Sequence, residues 1–236
     1  MPLGVLVSRS LGADFYTRLF QEDPVVGVPA ASVWNSLTFA VVAMLLATLV
    51  GVMAATVITG RSGQLSRWFD LTLMLPLGTS AVTIGFGFIV ALDWPFDLRA
   101  SAWLVPIAQA LVAVPFVVRA TVPTLRSIPA EEREAAAVLG ASPFRVWREI
   151  DLPMVSRAAM VGAGFAFVIS LGEFGATSFV ARPNTATIPI MIFRLLSRPG
   201  AASFGMAMAM SVVLALMTAG VVLAIDRARF GELGTF

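Results

Sequence analysis

Residues 129–153 read PAEEREAAAVLGASPFRVWREIDLP, and this stretch decides how the rest of the chain is interpreted. Pro129 suits a first helical turn, and the glutamates after it favour the positive end of a helix dipole before a run of alanines. Gly140 interrupts the pattern, and Ser142 with the proline after it predicts the cap of a second helix. The stretch therefore predicts two short helices around a glycine bend, the second ending at Leu152–Pro153.

Apolar segments flank this polar stretch on both sides. The chain has 236 residues, 58% hydrophobic and 13% charged, with a mean hydropathy of +0.89, whereas a soluble domain carries about 25% charged residues. A spanning helix needs about 20 mostly apolar residues. The sequence predicts an all-α, polytopic membrane protein with about five transmembrane helices. They are expected at 36–58, 71–92, 102–122, 158–180 and 203–225.

Arginine in the short connections predicts the orientation, because positive residues are retained on the cytoplasmic side. The loop 123–157 is rich in arginine and is expected inside, together with the C-terminus. The resulting division is an external segment 1–35, a transmembrane domain 36–227 and a cytoplasmic tail 228–236. The N-terminal segment has no signal-peptide core of useful length. Two explanations stay open: the first span carries a short tail across, or the chain is a fragment of a longer protein.

The residue types that are missing exclude several kinds of chemistry. There is no histidine and no cysteine, which removes the usual ligands for zinc, haem or an iron–sulfur cluster and the common nucleophile pairs. All basic residues are arginine, so the chain has no lysine for a nucleotide-binding P-loop. We expect no metal site, no cofactor and no enzymatic activity in this chain. Any ATP must be hydrolysed by another protein.

The first helix of the loop has a small-residue face. Ala135, Ala136 and Leu139 would let it lie closely in a groove on a partner, as amphipathic helices do in clefts. The alternative is an interfacial helix resting on lipid headgroups, which normally carries more cationic residues. The residues alone leave both alternatives open.

The loop also resembles a known family signature. Glu134-Ala135-Ala136, then Gly140, Ile150 and Leu152-Pro153 at their spacing, are similar to the complete EAA motif of binding-protein-dependent ABC importer permeases of the type I, or MetI-like, fold. The resemblance extends over about residues 33–227. It includes Asn35-Ser36-Leu37, Leu75-Pro76 and the segment 115–119.

The resemblance implies a function for the loop and a set of partners. In such permeases the EAA segment is the coupling helix that sits in a cleft of a separate ATPase subunit, which binds ATP and magnesium. A periplasmic substrate-binding protein and a second permease half, identical or different, are also implied, in the plasma or inner membrane. The implied coupling residues are Glu134, Ala135, Ala136, Ala137, Leu139, Gly140, Ile150, Leu152 and Pro153.

Glu173 stands within the predicted fourth span. A carboxylate at that depth costs about 2.5–3.5 kcal/mol on insertion scales, so it should face a polar cavity or a partner. We expect it to line a translocation path. The alternatives are a structural hydrogen bond or ion pair to another helix, or a position nearer the outer interface. The sequence around it is similar to the sulfate, molybdate, thiamine and ferric-iron branch of the family, and 187–200 resembles iron and thiamine permeases most. The resemblance implies iron(III) or thiamine first, and sulfate or molybdate second.

Charged residues on the predicted outer face are weaker candidates. Arg182, Arg194 and Arg198 are candidates for contact with a substrate-binding protein, although solvated arginines are more common. Asp93 and Asp97 bracket an outer turn and are expected to be a polar loop.

Two functions of other classes stay open. An ion-coupled secondary transporter needs ionisable groups within the membrane to bind the coupling ions. Glu173 and Arg119 are few groups for this role. A half-permease fragment that does not transport would also fit the predicted spans.

Overall fold

The computed structural model describes residues 2–12, 14–60, 63–92 and 101–230. This part of the chain forms helices joined by turns, with one isolated antiparallel bridge between Asp23 and Gly27. The α-helices are α1 (Pro2–Ser10), α2 (Phe15–Arg18), α3 (Ala31–Gly60), α4 (Gln64–Gly78), α5 (Ala81–Ala91), α6 (Leu104–Ser127), α7 (Ala130–Val138), α8 (Pro143–Val146), α9 (Leu152–Gly172), α10 (Thr177–Val180), α11 (Ile188–Leu196) and α12 (Ala201–Phe230). The prediction of an all-α polytopic fold is confirmed.

The first, third and fifth predicted spans correspond to continuous helices, and the second does not. The fourth ends at Gly172, before its predicted end at 180. Helices long and apolar enough to cross a membrane run over Ala31–Gly60, Leu104–Ser127, Pro143–Gly172 and Ala201–Arg227. The predicted span 71–92 is instead the pair α4 and α5, bent by 107°. Pro76 inside α4 lacks an N–H for the helix, and Thr79 is extended, with φ −104° and ψ 142°. The described part of the chain has five spans if the bent pair is one of them.

The helix of the fourth span begins earlier than predicted. A π-helical turn, Trp147–Asp151, joins α8 to α9, so the expected end at Leu152–Pro153 is wrong. The Leu152 N–H donates to the carbonyl of Trp147, five residues back. A proline ring clashes with the carbonyl four residues before it in a regular α-helix, and the wider π turn relieves that clash at Pro153. The helical course therefore continues from the loop into the span.

Small residues let α3, α6 and α9 cross closely. A methyl group added at Gly51 of α3 would lie 2.7 Å from Val117 Cβ, and one at Gly162 of α9 would lie 3.1 Å from Val117 Cα. Val117 of α6 is fully buried between these two glycines. Close backbone approach at small residues is the usual way in which membrane helices pack. These three helices form the centre of the bundle.

The two ends of the bundle differ in structure. At the loop end, Ala55 of α3 packs with Leu125 and Ile128 at the end of α6 and with Val155 of α9. At the opposite end, α11 and α12 pack around Leu19 and Val26 of the N-terminal segment. The loop with the EAA pattern and this N-terminal segment therefore lie at opposite ends of the bundle.

Candidate functional site

Helix α7 carries the EAA residues on an exposed surface. Glu131 and Glu132 occupy its first turn, as the sequence predicts. Pro129 is the extended N-cap just before that turn, instead of lying within it. The side chains of Val138 and Leu139, at its far end, are each 87% exposed. An apolar pair this exposed on a short helix is expected where a partner covers it.

Gly140 produces the predicted bend. Its φ is +83°, a left-handed conformation that glycine adopts without a steric penalty. Its N–H donates to the carbonyl of Ala137 at 3.0 Å, and the Ala141 N–H donates to the carbonyl of Ala136 at 3.0 Å. These two bonds form a Schellman motif, which satisfies carbonyls at the helix end and turns the chain. The loop direction therefore depends on a residue without a side chain.

The second loop helix begins as predicted and carries an aromatic pair. The Ser142 hydroxyl accepts a hydrogen bond from the Arg145 N–H at 3.3 Å. The rings of Phe144 and Trp147 stack with centroids 5.9 Å apart, and these side chains are 66% and 44% exposed. Stacking holds the two rings in one orientation on the surface of the loop.

The end of the motif connects the loop to the bundle. Ile150 is half-buried and packs against the cluster of Ala55, Leu125, Ile128 and Val155. Leu152 is 38% exposed, and Pro153 lies in the first turn of α9. Arg133 of α7 forms an ion pair with Asp151 at this base, with 2.8 Å between the guanidinium and the carboxylate. Sequence reasoning missed this pair because the two residues belong to different helices.

Glu173 lies at the end of α9 rather than inside a span that continues to Val180. The residue is buried, and its carboxylate accepts hydrogen bonds from the Ala176 N–H at 2.7 Å and the Thr177 N–H at 2.9 Å. The Thr177 hydroxyl also donates to it. The carboxylate thus closes the turn between α9 and α10. Its predicted place on a translocation path stays a prediction.

The broken second span meets this turn. A methyl group at Gly85 of α5 would lie 2.6 Å from the Ala176 carbonyl oxygen. The rings of Phe86 and Phe179 also meet edge to face, with centroids 6.3 Å apart. The bend after α4 and the turn at Glu173 therefore support each other at the end opposite the loop.

The arginines predicted to contact a substrate-binding protein lie at the same end, and Arg194 and Arg198 form hydrogen bonds within this chain. Arg198 donates to the Asp23 carboxylate at 2.8 Å, and Arg194 donates to the carbonyls of Arg182 and Pro183 at 3.3 and 3.4 Å. Arg182 is exposed. The Arg198 hydrogen bond holds the pKa of Asp23 below its ordinary range, and the Val25 N–H acts in the same direction. This surface is ordered by its arginines.

Two residues quoted only for their resemblance anchor the segment before α11. The Asn35 side-chain amide donates to the carbonyls of Asn184 and Ala186 at 3.1 and 3.0 Å. The Ser36 hydroxyl accepts from the Ile188 N–H at 2.7 Å. The sequence signal for these contacts was a pair of polar residues at the start of an apolar segment. Their hydrogen-bond partners are about 150 residues away, so the local sequence pattern could not identify them.

Metal chemistry gains no support from the described residues. Within the ranges the structure describes, no group of three or more His, Cys, Asp or Glu side chains is placed to hold a metal ion. Asp93 and Asp97 lie outside the described residues.

Comparison with known proteins agrees with this arrangement. The family model described as "Binding-protein-dependent transport system inner membrane component" matches residues 47–229. Similar proteins include PhnV of Salmonella typhimurium, named as a candidate 2-aminoethylphosphonate transport system permease, which is 28% identical over 96% of this chain and 88% of that protein. The sulfate transport system permease CysT of the same organism is 32% identical over 69% of each chain. The putrescine transport system permease PotI of Escherichia coli is 30% identical over 80% of this chain and 68% of that protein.

Solved structures of low sequence identity share the fold. A chain of a bacterial alginate ABC transporter, in complex with a pentasaccharide-bound periplasmic protein, superposes with a TM-score of 0.72 at 19% identity. The match covers 95% of this chain and 85% of that chain. A second alginate transporter structure gives a TM-score of 0.73 at 17% identity, over 99% and 90%.

Proposed function

This chain belongs to the family of binding-protein-dependent transport system inner membrane components, and we propose that it couples a separate ATPase to movement of a substrate across the membrane. It is an ABC importer permease of the type I fold. The observation that carries the coupling proposal is the exposed helix, bend and helix over 130–151 at one end of an apolar bundle. A rigid projection of this kind fits a cleft on another protein.

The proposed contact surface consists of the EAA segment, with the apolar end of α7 at its centre. Val138 and Leu139 present the largest exposed apolar fraction of the segment, and Phe144 and Trp147 add aromatic area nearby in sequence. Aromatic and aliphatic anchors dominate the energetics of protein interfaces. The residues that would lie along the cleft of the ATPase are Glu134, Ala135, Ala136 and Ala137. The connection from the loop to the spans is made by Ile150, Leu152 and Pro153.

ATP hydrolysis is assigned to the partner. The chain has no lysine, so it lacks the residue that reaches the nucleotide phosphates in a P-loop. In this proposal ATP and magnesium bind the ATPase subunit, and the permease contributes movement without chemistry.

A second permease unit is proposed to complete the path. The broken second span presents large apolar side chains outward, with Leu75 63%, Phe86 56% and Val90 62% exposed. Five spans with such faces need lipid or another membrane subunit to cover them. We assign part of this surface to a second permease half, identical or different.

The orientation follows from the coupling proposal. A loop that meets a cytoplasmic ATPase places the C-terminal end of α12 inside and the N-terminal segment outside. The opposite end of the bundle, with Arg182, Arg194 and Arg198, would then face a periplasmic substrate-binding protein. The alginate transporter complexed with its periplasmic protein supports a partner of this class. Arg194 and Arg198 would act by holding the surface in shape, because their guanidinium groups bind other parts of the chain.

The substrate is proposed at the level of class. Names of similar permeases refer to 2-aminoethylphosphonate, sulfate and putrescine. Two of these are small oxyanions, so we rank phosphonate and sulfate ahead of iron(III) and thiamine, which the segment 187–200 suggested by resemblance. Putrescine is a cation and comes last.

The test is reconstitution of this chain with its ATPase and binding protein in liposomes. Each candidate substrate is supplied in turn: 2-aminoethylphosphonate, sulfate, ferric iron, thiamine and putrescine. ATP-dependent accumulation of one of them, abolished when this chain is omitted, supports the proposal. Accumulation driven by an ion gradient without ATP would support a secondary transporter instead, and normal uptake without this chain would support an inactive half-permease.

A further inference from the structure

An ion pair between Arg133 and Asp151 connects the loop to the base of the fourth span. Arg133 Nε donates to Asp151 Oδ1 at 2.9 Å, and the terminal guanidinium nitrogen lies 2.8 Å from the same oxygen. The two side chains are 38% and 17% exposed. Charge-assisted bonds this short and partly shielded are stronger than exposed pairs.

The other described ion pairs of the loop are looser. Arg145 lies 3.7 Å from Glu149, and Arg148 lies 3.4 Å from the same carboxylate, with every side chain more than half exposed. Exposed pairs of this kind contribute about 0–1 kcal/mol. Glu149 therefore serves as a matched control for Asp151, two residues away.

The position of Asp151 makes its pair a mechanical connection. Asp151 is the last residue of the π-helical turn and directly precedes α9. The neighbouring Ile150 packs among Ala55, Leu125, Ile128 and Val155, which fixes this point to α3, α6 and α9. Arg133 belongs to α7, whose covalent route to α9 passes through the Gly140 bend and α8. The ion pair directly links two residues that are 18 positions apart along this route.

We propose that Arg133 and Asp151 form a strut that holds α7 at a fixed angle to α9, so that a displacement of α7 moves the fourth span instead of being absorbed at Gly140. The inference rests on the proposed coupling function and adds two positioning residues to it. Without the strut, the C-terminal end of α7 reaches α9 only through a glycine bend and a short turn, where rotation is easy. Its N-terminal end is held by Pro129 and the buried Ile128, so α7 can still pivot about that point. With the strut, the loop and the base of the span move as one body.

The structural test measures the spread of distances between α7 and α9 in the purified chain. The chain has no native cysteine, so spin labels are placed at Val138→Cys and Met160→Cys, which are 87% and 62% exposed. Double electron–electron resonance spectroscopy in lipid nanodiscs then gives the distribution of distances between the two spin labels. Asp151→Asn and Arg133→Gln are each expected to broaden it, while Glu149→Gln leaves it unchanged. An unchanged width in the first two variants, or equal broadening in Glu149→Gln, would overturn the strut.

The functional test uses the assembled transporter with its ATPase. A cysteine at Phe174, 37% exposed at the opposite end, is labelled with a thiol reagent with and without ATP. In the Asp151→Asn variant we expect the effect of ATP on labelling to fall by about fivefold, the lower range of typical coupling between sites, while ATPase binding persists. An undiminished effect of ATP would overturn the strut. If ATP has no effect in the unmodified chain, the coupling function itself fails, whatever the spin labels show.

Discussion

Gly85 is the residue at which the broken second span touches the turn after α9. A methyl group there would lie 2.6 Å from the Ala176 carbonyl oxygen and 2.8 Å from Ala176 Cα, which are backbone atoms. We expect Gly85→Ala to lower the stability of the protein by about 1–3 kcal/mol through overpacking. Thermal unfolding in detergent measures the change.

Gly87 provides the control on the same helix. A methyl group at Gly87 meets nothing within 4 Å, and alanine favours the helix by about 1 kcal/mol over glycine. Gly87→Ala should therefore be neutral or slightly stabilising. Equal melting temperatures for the two variants would show that α5 does not pack against the turn as described.

Glu173 gives a second prediction at this scale. Its carboxylate accepts from the N–H groups of Ala176 and Thr177 and from the Thr177 hydroxyl. Glu173→Gln replaces one acceptor oxygen with a donor, and an unsatisfied buried group costs about 1–3 kcal/mol. We expect membrane insertion to persist, while thermal stability and transport both fall.

The exposed Glu132 supplies the comparison for Glu173. Glu132→Gln should leave thermal stability unchanged, because this side chain is exposed. If Glu173→Gln behaves like Glu132→Gln, the carboxylate does not hold the turn.

Among elements, the loop bend has a clear conformational requirement. Gly140 has φ +83°, which a β-branched residue adopts only with a penalty of about 1–2 kcal/mol. We expect Gly140→Val to redirect α7 and reduce substrate transport per ATP hydrolysed in the assembled transporter. Ala141→Val, at a residue without positive φ, is the matched control. Full coupling in Gly140→Val would mean that the bend is not needed.

The N-terminal segment has a predicted pH dependence. Asp23 joins residues 19–27 to the turn after α11 through Arg198, at 2.8 Å, and this bond lowers the pKa of Asp23 in the folded protein. A lowered folded pKa means that the stabilisation is complete above the unfolded value of about 3.9 and is lost as the pH falls through the folded value. The protection factor of this segment, which corrects hydrogen exchange for its intrinsic pH dependence, should therefore be constant near neutral pH and fall only in acid.

The variant Asp23→Asn separates this ion pair from general acid effects. It should lower the protection factor of the segment at neutral pH and remove the additional fall in acid. Unchanged exchange in the variant at neutral pH would contradict a role of the pair in holding the segment.

Elements formed by interactions between neighbouring residues could be predicted from the sequence, and those that depend on distant residues could not. The Ser142 cap and the Gly140 bend depend on neighbouring residues, and the sequence predicted both correctly. The 107° bend at Thr79 and the continuous helix through Pro153 were missed. Hydropathy reports whether residues are apolar and does not report whether the helix is straight. The pairing of Arg133 with Asp151 depends on how α7 folds back, and no periodicity encodes it.

At the scale of the whole molecule, the bundle has a structured loop at one end and an ordered polar surface at the other. The central helices α3 and α9 join these ends, since they run from the cluster at Ala55 to the contacts of Asn35, Ser36 and Glu173. Helix α6 runs from the same cluster to Leu104, which packs with Ala176 and Val180. Movement of the loop can therefore reach the opposite surface through continuous helices. This connection is the physical basis of the proposed coupling.

The most direct test of the coupling is a crosslink between the loop and the ATPase. A single cysteine replaces Ala137 on exposed α7 of this cysteine-free chain, and a second is placed in the cleft of the ATPase. A cysteine at Asn184, exposed at the opposite end, is the control. We predict a crosslink from position 137 that changes in yield with ATP, and none from position 184. No crosslink from position 137 with this chain inserted and the ATPase present, or equal yields from both positions, would contradict the account.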